Sequence, residues 1–207
     1  KMVLNMLMLN LPVEKIGAEM YELLTMANRT TEDVFSLLDN LLKWTKSQIG
    51  NLNVVYQDVD AVEVVDSVID VFNMVAGLKK ITIREEKPEK LPVCTDIDML
   101  KTIIRNLLSN AIKFSNENSE VLVKMEEQGD TVVVSVKDSG CGIDEEGQQK
   151  LLHTDTHFST FGTNNEEGSG LGLLLCQDFA VKIGGKLWFT SKEGEGSTFY
   201  FSIPLKK

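Results

Sequence analysis

Histidine is nearly missing from this chain, with two in 207 residues, His153 and His157. Cysteine is scarce as well: Cys94, Cys141 and Cys176 are few, widely spaced and odd in number. That argues against a disulfide framework or a zinc knuckle and fits a reducing compartment. Prolines number 4 and aromatic residues make up 7%, against 43% hydrophobic and 25% charged residues, the proportions of a soluble globular protein and not of a disordered or collagen-like chain. No run approaches the roughly 20 apolar residues of a membrane span. The most apolar stretch, Met2–Leu11, is broken by Asn5 and Asn10 and stopped by Pro12. Its single leading Lys and lack of a small-residue cleavage pattern make it a poor signal peptide. Basic residues are in deficit, 21 Lys+Arg against 31 Asp+Glu, for a net charge of -10. Such a surface repels phosphate backbones, and with no local basic patch it argues against nucleic-acid binding.

The length fits one or two domains, and the hydrophobic pattern divides the chain near Gly50-Asn51. Before that point apolar residues recur at Ile16, Met20, Leu23, Ala27, Thr30, Val34, Leu37, Leu41, Trp44 and Gln48, in steps of four and three. This is a heptad seam, widened by Leu24, Leu38, Leu42 and Ile49 into a stripe that suits a helical bundle. A helix of that length cannot bury such a stripe alone, so residues 1–50 are expected to pair with a second copy. The plainer alternative folds the helix back onto its own chain.

Residues 51–207 alternate strands and helices. Val54–Val59 reads as a strand, and Asp60-Ala-Val-Glu63 as a capping box opening a helix with core face Val62, Val65, Ile69, Phe72 and Ala76, ended by Gly77. Ile81–Arg84 is a short strand, followed by a Pro-flanked loop to Val93. A helix from about Ile97 to Phe114 buries Leu100, Ile103, Ile104, Leu107, Leu108 and Ala111. Strands Val121–Glu126 and Thr131–Lys137 join at Gly129-Asp130. A glycine-containing loop, a short helix and a polar stretch lead to a helix over about Gly170–Ile183, then strands Lys186–Thr190 and Thr198–Pro204. The expected fold is α+β: a two-layer sandwich of one mixed sheet with three helices on one face.

Three separated motifs carry chemistry. On the helix ending at Phe114, residues Asn106, Asn110, Lys113 and Phe114 share one edge. Two amide oxygens and an ammonium there suit Mg²⁺ and phosphate, since Mg²⁺ takes oxygen ligands and few side chains. Asp138-Ser-Gly140-Cys-Gly142-Ile143 leaves a strand end. Its glycines permit a tight turn and close approach of a flat ligand, and the carboxylate can accept from an exocyclic amine. Gly168-Ser169-Gly170-Leu171-Gly172-Leu opens a helix, whose unpaired N–H groups suit phosphate. Each alone also reads blandly, as a solvated helix face, an ordinary strand-end turn, or a loose glycine run. A first-strand dinucleotide fingerprint is excluded, because the last motif follows a polar loop.

In this order the motifs resemble the N, G1, F and G2 boxes of the histidine-kinase catalytic domain, a branch of the GHKL ATP-binding superfamily with its Bergerat-type sandwich. Asn106–Phe114 resembles the N box, Asp138–Ile143 the G1 box, Phe158-Ser-Thr the F box and Gly168–Leu173 the G2 box, a likeness spanning about residues 51–207. Asn40-Leu-Leu-Lys-Trp44-Thr-Lys-Ser-Gln48 resembles the end of the second dimerisation helix of hybrid sensor kinases of gut-type bacteria.

The resemblance implies ATP and Mg²⁺ as ligands. Asp138 would accept from the adenine amino group and Phe114 would lie against the ring. Asn110 with Asn106 would hold Mg²⁺, and Lys113 would contact phosphate oxygens, making these three the expected catalytic residues. Gly168, Gly170 and Gly172 would carry the chain round the phosphates, Gly140 and Gly142 would shape the adenine pocket, and residues 153–167 would form a mobile lid. Ile143, Phe158, Ser169 and Leu171 complete the implied nucleotide-binding set. Asp138→Ala is expected to abolish binding and leave the fold intact.

Hydrolases of the superfamily resemble Glu-x-x-x-Asn, with the Glu activating water. Here the position four before Asn110 is Asn106, an amide that cannot take a proton. Transfer to an external nucleophile is therefore favoured. The family's acceptor is a histidine on the first dimerisation helix, whereas His153 and His157 fall in the lid stretch. The two histidines with Asp155 lack a convincing fourth ligand for a metal site, and Cys141 reads as a small loop filler. The expectation is a cytoplasmic kinase fragment, or the cytoplasmic part of a membrane-anchored sensor. It would be cut inside a dimerising helical hairpin with its acceptor His upstream, Met2–Leu11 being the tail of the first helix. It would signal to a receiver domain in trans or fused in cis. The alternatives are a same-fold ATPase and a nucleotide-gated interaction module.

Overall fold

The computed structural model describes residues 53–151, 162–163 and 170–205, with scattered positions between Gly17 and Thr45. The chain divides into two compact units, Lys1–Ile49 and Gly50–Lys207.

In the first unit, helical positions occur from Met20 to Thr45. Of the expected seam, Met20, Leu23, Val34 and Leu41 are all exposed, as are the flanking Leu38 and Leu42. Ile16, Thr30, Leu37, Trp44 and Gln48, together with Met2–Leu11, lie outside the described residues.

The second unit runs β1 (Gln57–Asp60), α1 (Ala61–Leu78), β2 (Thr82–Glu86), β3 (Pro92–Thr95), α2 (Ile97–Phe114), β4 (Glu120–Gln128), β5 (Thr131–Lys137), α3 (Glu145–Lys150), α4 (Gly172–Lys182), β6 (Leu187–Lys192) and β7 (Gly196–Pro204). The main sheet has five strands in the order β2-β4-β5-β7-β6, with β2 parallel to β4 and the other neighbours antiparallel. Alternation decides which side is buried. One face carries the cross-strand rows Val123–Val136–Phe199–Phe189 and Met125–Val134–Phe201–Leu187, apolar throughout. The other face carries Lys124, Ser135, Tyr200 and Trp188, the last two stacked 5.3 Å apart. A helical layer covers the apolar face: α2 packs centrally against both α1 and α4 and touches β5, α1 meets β2, and α4 meets β6 and β7.

Several expectations change at the edges. A second, two-stranded sheet stands apart from the main one: β1 pairs antiparallel with β3, Gln57 opposite Thr95 and Asp60 opposite Pro92. The first strand is therefore Gln57–Asp60 and not Val54–Val59, and the Pro-flanked segment ends in a strand instead of a loop. Proline at the first residue of a strand costs the ladder little, so Pro92 does not prevent pairing. Each strand of this ribbon feeds a helix through an aspartate. Asp60 caps α1 at Val62 N (3.0 Å) and also accepts from Leu91 N (2.9 Å). Asp96 caps α2 at Asp98 N and Met99 N (both 3.0 Å) and accepts from Val55 N (2.8 Å). A carboxylate satisfies the orphan donors of the first turn and suits the positive end of the helix dipole; these two also fasten incoming chain. Gly77 does not end α1, which continues to Leu78, and the left-handed residue after it is Lys80 (φ 56). Phe72 is half-buried and not core. The last helix is shorter than Gly170–Ile183, running Gly172–Lys182.

Candidate functional site

α2 is the hub. Its buried face includes Leu100, Ile103, Ile104, Leu107, Leu108 and Ala111. The flanking edge presents Asn106, Asn110, Lys113 and Phe114, all half-buried. Asn106 spends its amide nitrogen within the helix, donating from Nδ2 to Thr102 O at 2.9 Å. Its Oδ1 takes no part in that bond. Lys113 Nζ lies 4.8 Å from the centroid of the Phe114 ring, within cation–π range.

The Asp138 loop sits at the C-terminal end of this helix. A Cβ on Gly140 would lie 2.1 Å from Phe114 O, and one on Gly142 (φ 66) would lie 2.0 Å from Lys192 O. Only glycine lets the loop pass between α2 and the β6–β7 hairpin. The hairpin grips it further: Ile143 N donates to Ser191 Oγ (2.9 Å) and Gly194 N to Cys141 O (2.7 Å). From α3, Gln148 Nε2 donates to Ile143 O at 2.7 Å.

Asp138 is 4% exposed. Its Oδ1 accepts from Gly140 N (3.0 Å) and Ser197 N (3.1 Å). Burial pushes its carboxyl above the ordinary carboxylate range, against the pull of those N–H donors, which favour the charged form. Both bonds fall on Oδ1, so neither engages Oδ2. The expectation that this carboxylate serves the ligand alone is corrected here: it also ties the loop to β7. Asp138→Ala would orphan two buried N–H groups at about 1–3 kcal/mol each, so that variant does not leave the fold untouched.

The third motif meets α2 at Asn106. A Cβ on Gly172 would lie 2.7 Å from Asn106 Oδ1. Gly170 takes φ 67, and Leu171, at the N-cap of α4, supplies no side-chain cap to that helix; a helix start is where the backbone dipole favours an anion. Asn106, Asn110, Lys113, Phe114, Asp138, Gly140, Gly142, Ile143, Gly170, Leu171 and Gly172 thus occupy the C-terminal half of α2 and the two glycine segments against it. Phe158, Gly168, Ser169, His153, Asp155 and His157 lie outside the described residues.

The match with known proteins decides the family. Residues 95–207 fit the model of the histidine kinase-, DNA gyrase B- and HSP90-like ATPases. The chain belongs to this family. Among curated relatives, the adaptive-response sensory kinase SasA of Rippkaea orientalis is 30% identical over 171 residues, covering 82% of this chain and 43% of its own. Sensor protein EvgS of Escherichia coli is 29% identical over 191 residues, covering 89% of this chain and 16% of its own. The chain therefore spans less than half the length of these relatives. The solved catalytic domain of histidine kinase ThkA, in a nucleotide-free form, superposes with a TM-score of 0.63 at 29% identity, over 73% of this chain and 97% of that one. Within the family this chain is an ATP-binding domain, similar to the catalytic domains of sensor histidine kinases. Among the described residues no helix is long and apolar enough to cross a membrane.

Two contributors escaped the sequence reading. Ser197 supplies a backbone donor to Asp138 from the strand that closes the fold. Lys79 is only 8% exposed, and its Nζ donates to Ile112 O and Lys113 O (both 3.0 Å) and to Thr163 Oγ1 (2.8 Å). The hint for Lys79 was its place one residue past α1; a lysine after a helix otherwise reads as solvated.

Proposed function

We propose that this chain binds ATP with Mg²⁺ and transfers the γ-phosphoryl group to a histidine, as the catalytic core of a two-component sensor kinase. The observation that carries this is the convergence of two glycine segments on one edge of α2, Gly140 against Phe114 and Gly172 against Asn106. Asp138 receives the adenine amino group through the carboxylate oxygen turned away from Gly140 and Ser197. Phe114 flanks the base, and Gly142 and Ile143 shape its pocket. Lys113 contacts phosphate oxygens, and the first turn of α4, beside Gly170 and Leu171, favours them through the positive end of its helix dipole. The amide oxygens of Asn106 and Asn110 are hard oxygen donors of the kind Mg²⁺ accepts. Mg²⁺ held there would neutralise charge on the triphosphate, which with positioning supplies most of phosphoryl-transfer catalysis. Phe158, Gly168 and Ser169 complete the nucleotide site in this reading, and residues 153–167 serve as its lid.

Asn106 separates kinase from hydrolase. Its amide is not a base and its nitrogen already donates to Thr102 O, so no side chain at this position activates water. The acceptor is a histidine on a dimerisation helix, not His153 or His157. The exposed Met20, Leu23, Val34, Leu38 and Leu41 support pairing of residues 1–50 with a second copy, and the phosphoryl group passes on to an aspartate of a receiver domain. The test is incubation with γ-labelled ATP and a dimerisation segment bearing an acceptor histidine. The expected product is an acid-labile, alkali-stable phosphoprotein with negligible phosphate release by the chain alone. Steady phosphate release without protein labelling would favour the ATPase reading.

A further inference from the structure

We infer that Lys79 and Thr163 form a positioning clamp on the end of α2 that fixes Lys113 for the nucleotide phosphates; this rests on the nucleotide reading above. The last carbonyls of a helix have no partner within it and must find donors elsewhere. At the end of α2 those donors come from remote chain. Ala111 O accepts from Ser115 N in the ordinary way (3.1 Å). Ile112 O accepts from Lys79 Nζ. Lys113 O accepts from Lys79 Nζ (3.0 Å), Thr163 N (3.1 Å) and Thr163 Oγ1 (3.1 Å). The Thr163 hydroxyl has one hydrogen to share between Lys113 O and Ser115 O, and the shorter contact, 2.8 Å, is to Ser115 O.

A glycine cap would end a helix at lower cost than a buried lysine, since Lys is almost never buried without partners. The side chain carries three donors, and Ile112 O, Lys113 O and Thr163 Oγ1 accept from it. Its positive charge also suits the negative end of the α2 dipole. What this node adds is a junction: residue 79, residues 112–115 and residue 163 are joined at one point. The carbonyl that takes most donors belongs to Lys113, whose side chain is proposed to reach phosphate. Lys79 and Thr163 touch no ligand in this scheme; Thr163 is a point at which the 153–167 stretch is fastened to α2, and both residues act by holding the backbone from which Lys113 extends.

The test uses the whole chain and the exposed member of the pair, because Lys79 variants risk the fold. Thr163→Val removes the hydroxyl at constant size, and Thr163→Ser keeps it. ADP and adenosine are titrated into each, with thermal melts recorded alongside. Thr163→Val is expected to weaken ADP about tenfold while adenosine, which has no phosphate, binds as it does to the parent, and Thr163→Ser restores ADP. Parental ADP affinity in Thr163→Val overturns the clamp and leaves the nucleotide reading standing. An equal loss for ADP and adenosine also overturns it, as the mark of a merely structural residue. A parent chain that binds neither ligand overturns the nucleotide reading itself, and the clamp with it.

Discussion

Gly140 and Phe114 meet so closely that a Cβ at position 140 would stand 2.1 Å from the Phe114 carbonyl oxygen. Backbone on both sides must give way for any side chain, because the carbonyl belongs to the last residue of α2. Gly140→Ala is expected to destabilise the fold by about 1–3 kcal/mol, the usual range for overpacking, and to abolish nucleotide binding. Gly129→Ala is the control: it sits at φ 62 with nothing within 4 Å of its Cβ, so only backbone strain of roughly 1–2 kcal/mol applies, with binding retained. Urea denaturation and ADP titration of both variants check this.

Gly172→Ala should separate stability from metal use. Its Cβ would press Asn106 Oδ1, the end of a side chain and not backbone, and alanine gains up to about 1 kcal/mol over glycine in a helix. The expected result is an unchanged or raised melting temperature with a weakened Mg²⁺ dependence of ADP affinity. Isotherms with and without Mg²⁺ read out the difference.

Asp138 carries a pH signature. Burial raises its carboxyl above the ordinary carboxylate range, so the charged form is disfavoured by folding. That cost is present above the raised folded-state pKa, fades as pH falls through it, and is gone below the unfolded value. Asp138→Asn should therefore melt at or above the parent temperature at neutral pH, with the gap closing on acidification. ADP affinity of the parent should decline with acidification in the same window, as the acceptor becomes protonated. Melts and titrations between neutrality and the ordinary carboxylate range test both.

The heptad unit makes an independent prediction. A chain cut to residues 51–207 should sediment as a monomer and bind ADP as the longer chain does, whereas residues 1–207 should sediment as a dimer. A monomeric full chain would remove the pairing proposed for the exposed Leu38 and Leu41 stripe.

Legibility in the sequence followed the range of the forces involved. α2 was readable to its ends, since Leu100, Ile103, Ile104, Leu107 and Leu108 keep helical spacing. β5 was equally plain, because Thr131–Lys137 follows a glycine turn and runs rich in valine. The β1–β3 ribbon was hidden: Gln57-Asp-Val-Asp60 has no alternating apolar face, and its pairing with Pro92–Thr95 depends on chain more than thirty residues away. The site residues could be listed from their motifs, but their mutual placement could not. Nothing local says that Gly140 abuts Phe114 or that Gly172 abuts Asn106. Nor does a local pattern reveal that Asp138 holds its own loop through Gly140 N and Ser197 N, or that Lys79 reaches across to Thr163. Those are tertiary contacts between segments whose own sequences read as turn, strand end or solvated cap.

The most direct test is calorimetric titration of Mg-ADP into the whole chain and into Asp138→Asn. In that variant the side-chain oxygen stays with Gly140 N and Ser197 N, which turns the amide NH₂ toward the ligand, a donor facing the donor of the adenine amino group. One-site binding to the parent, abolished in a variant that melts no lower, is the expected result. Equal Mg-ADP affinity in the two proteins would contradict the assignment of Asp138 as the adenine acceptor.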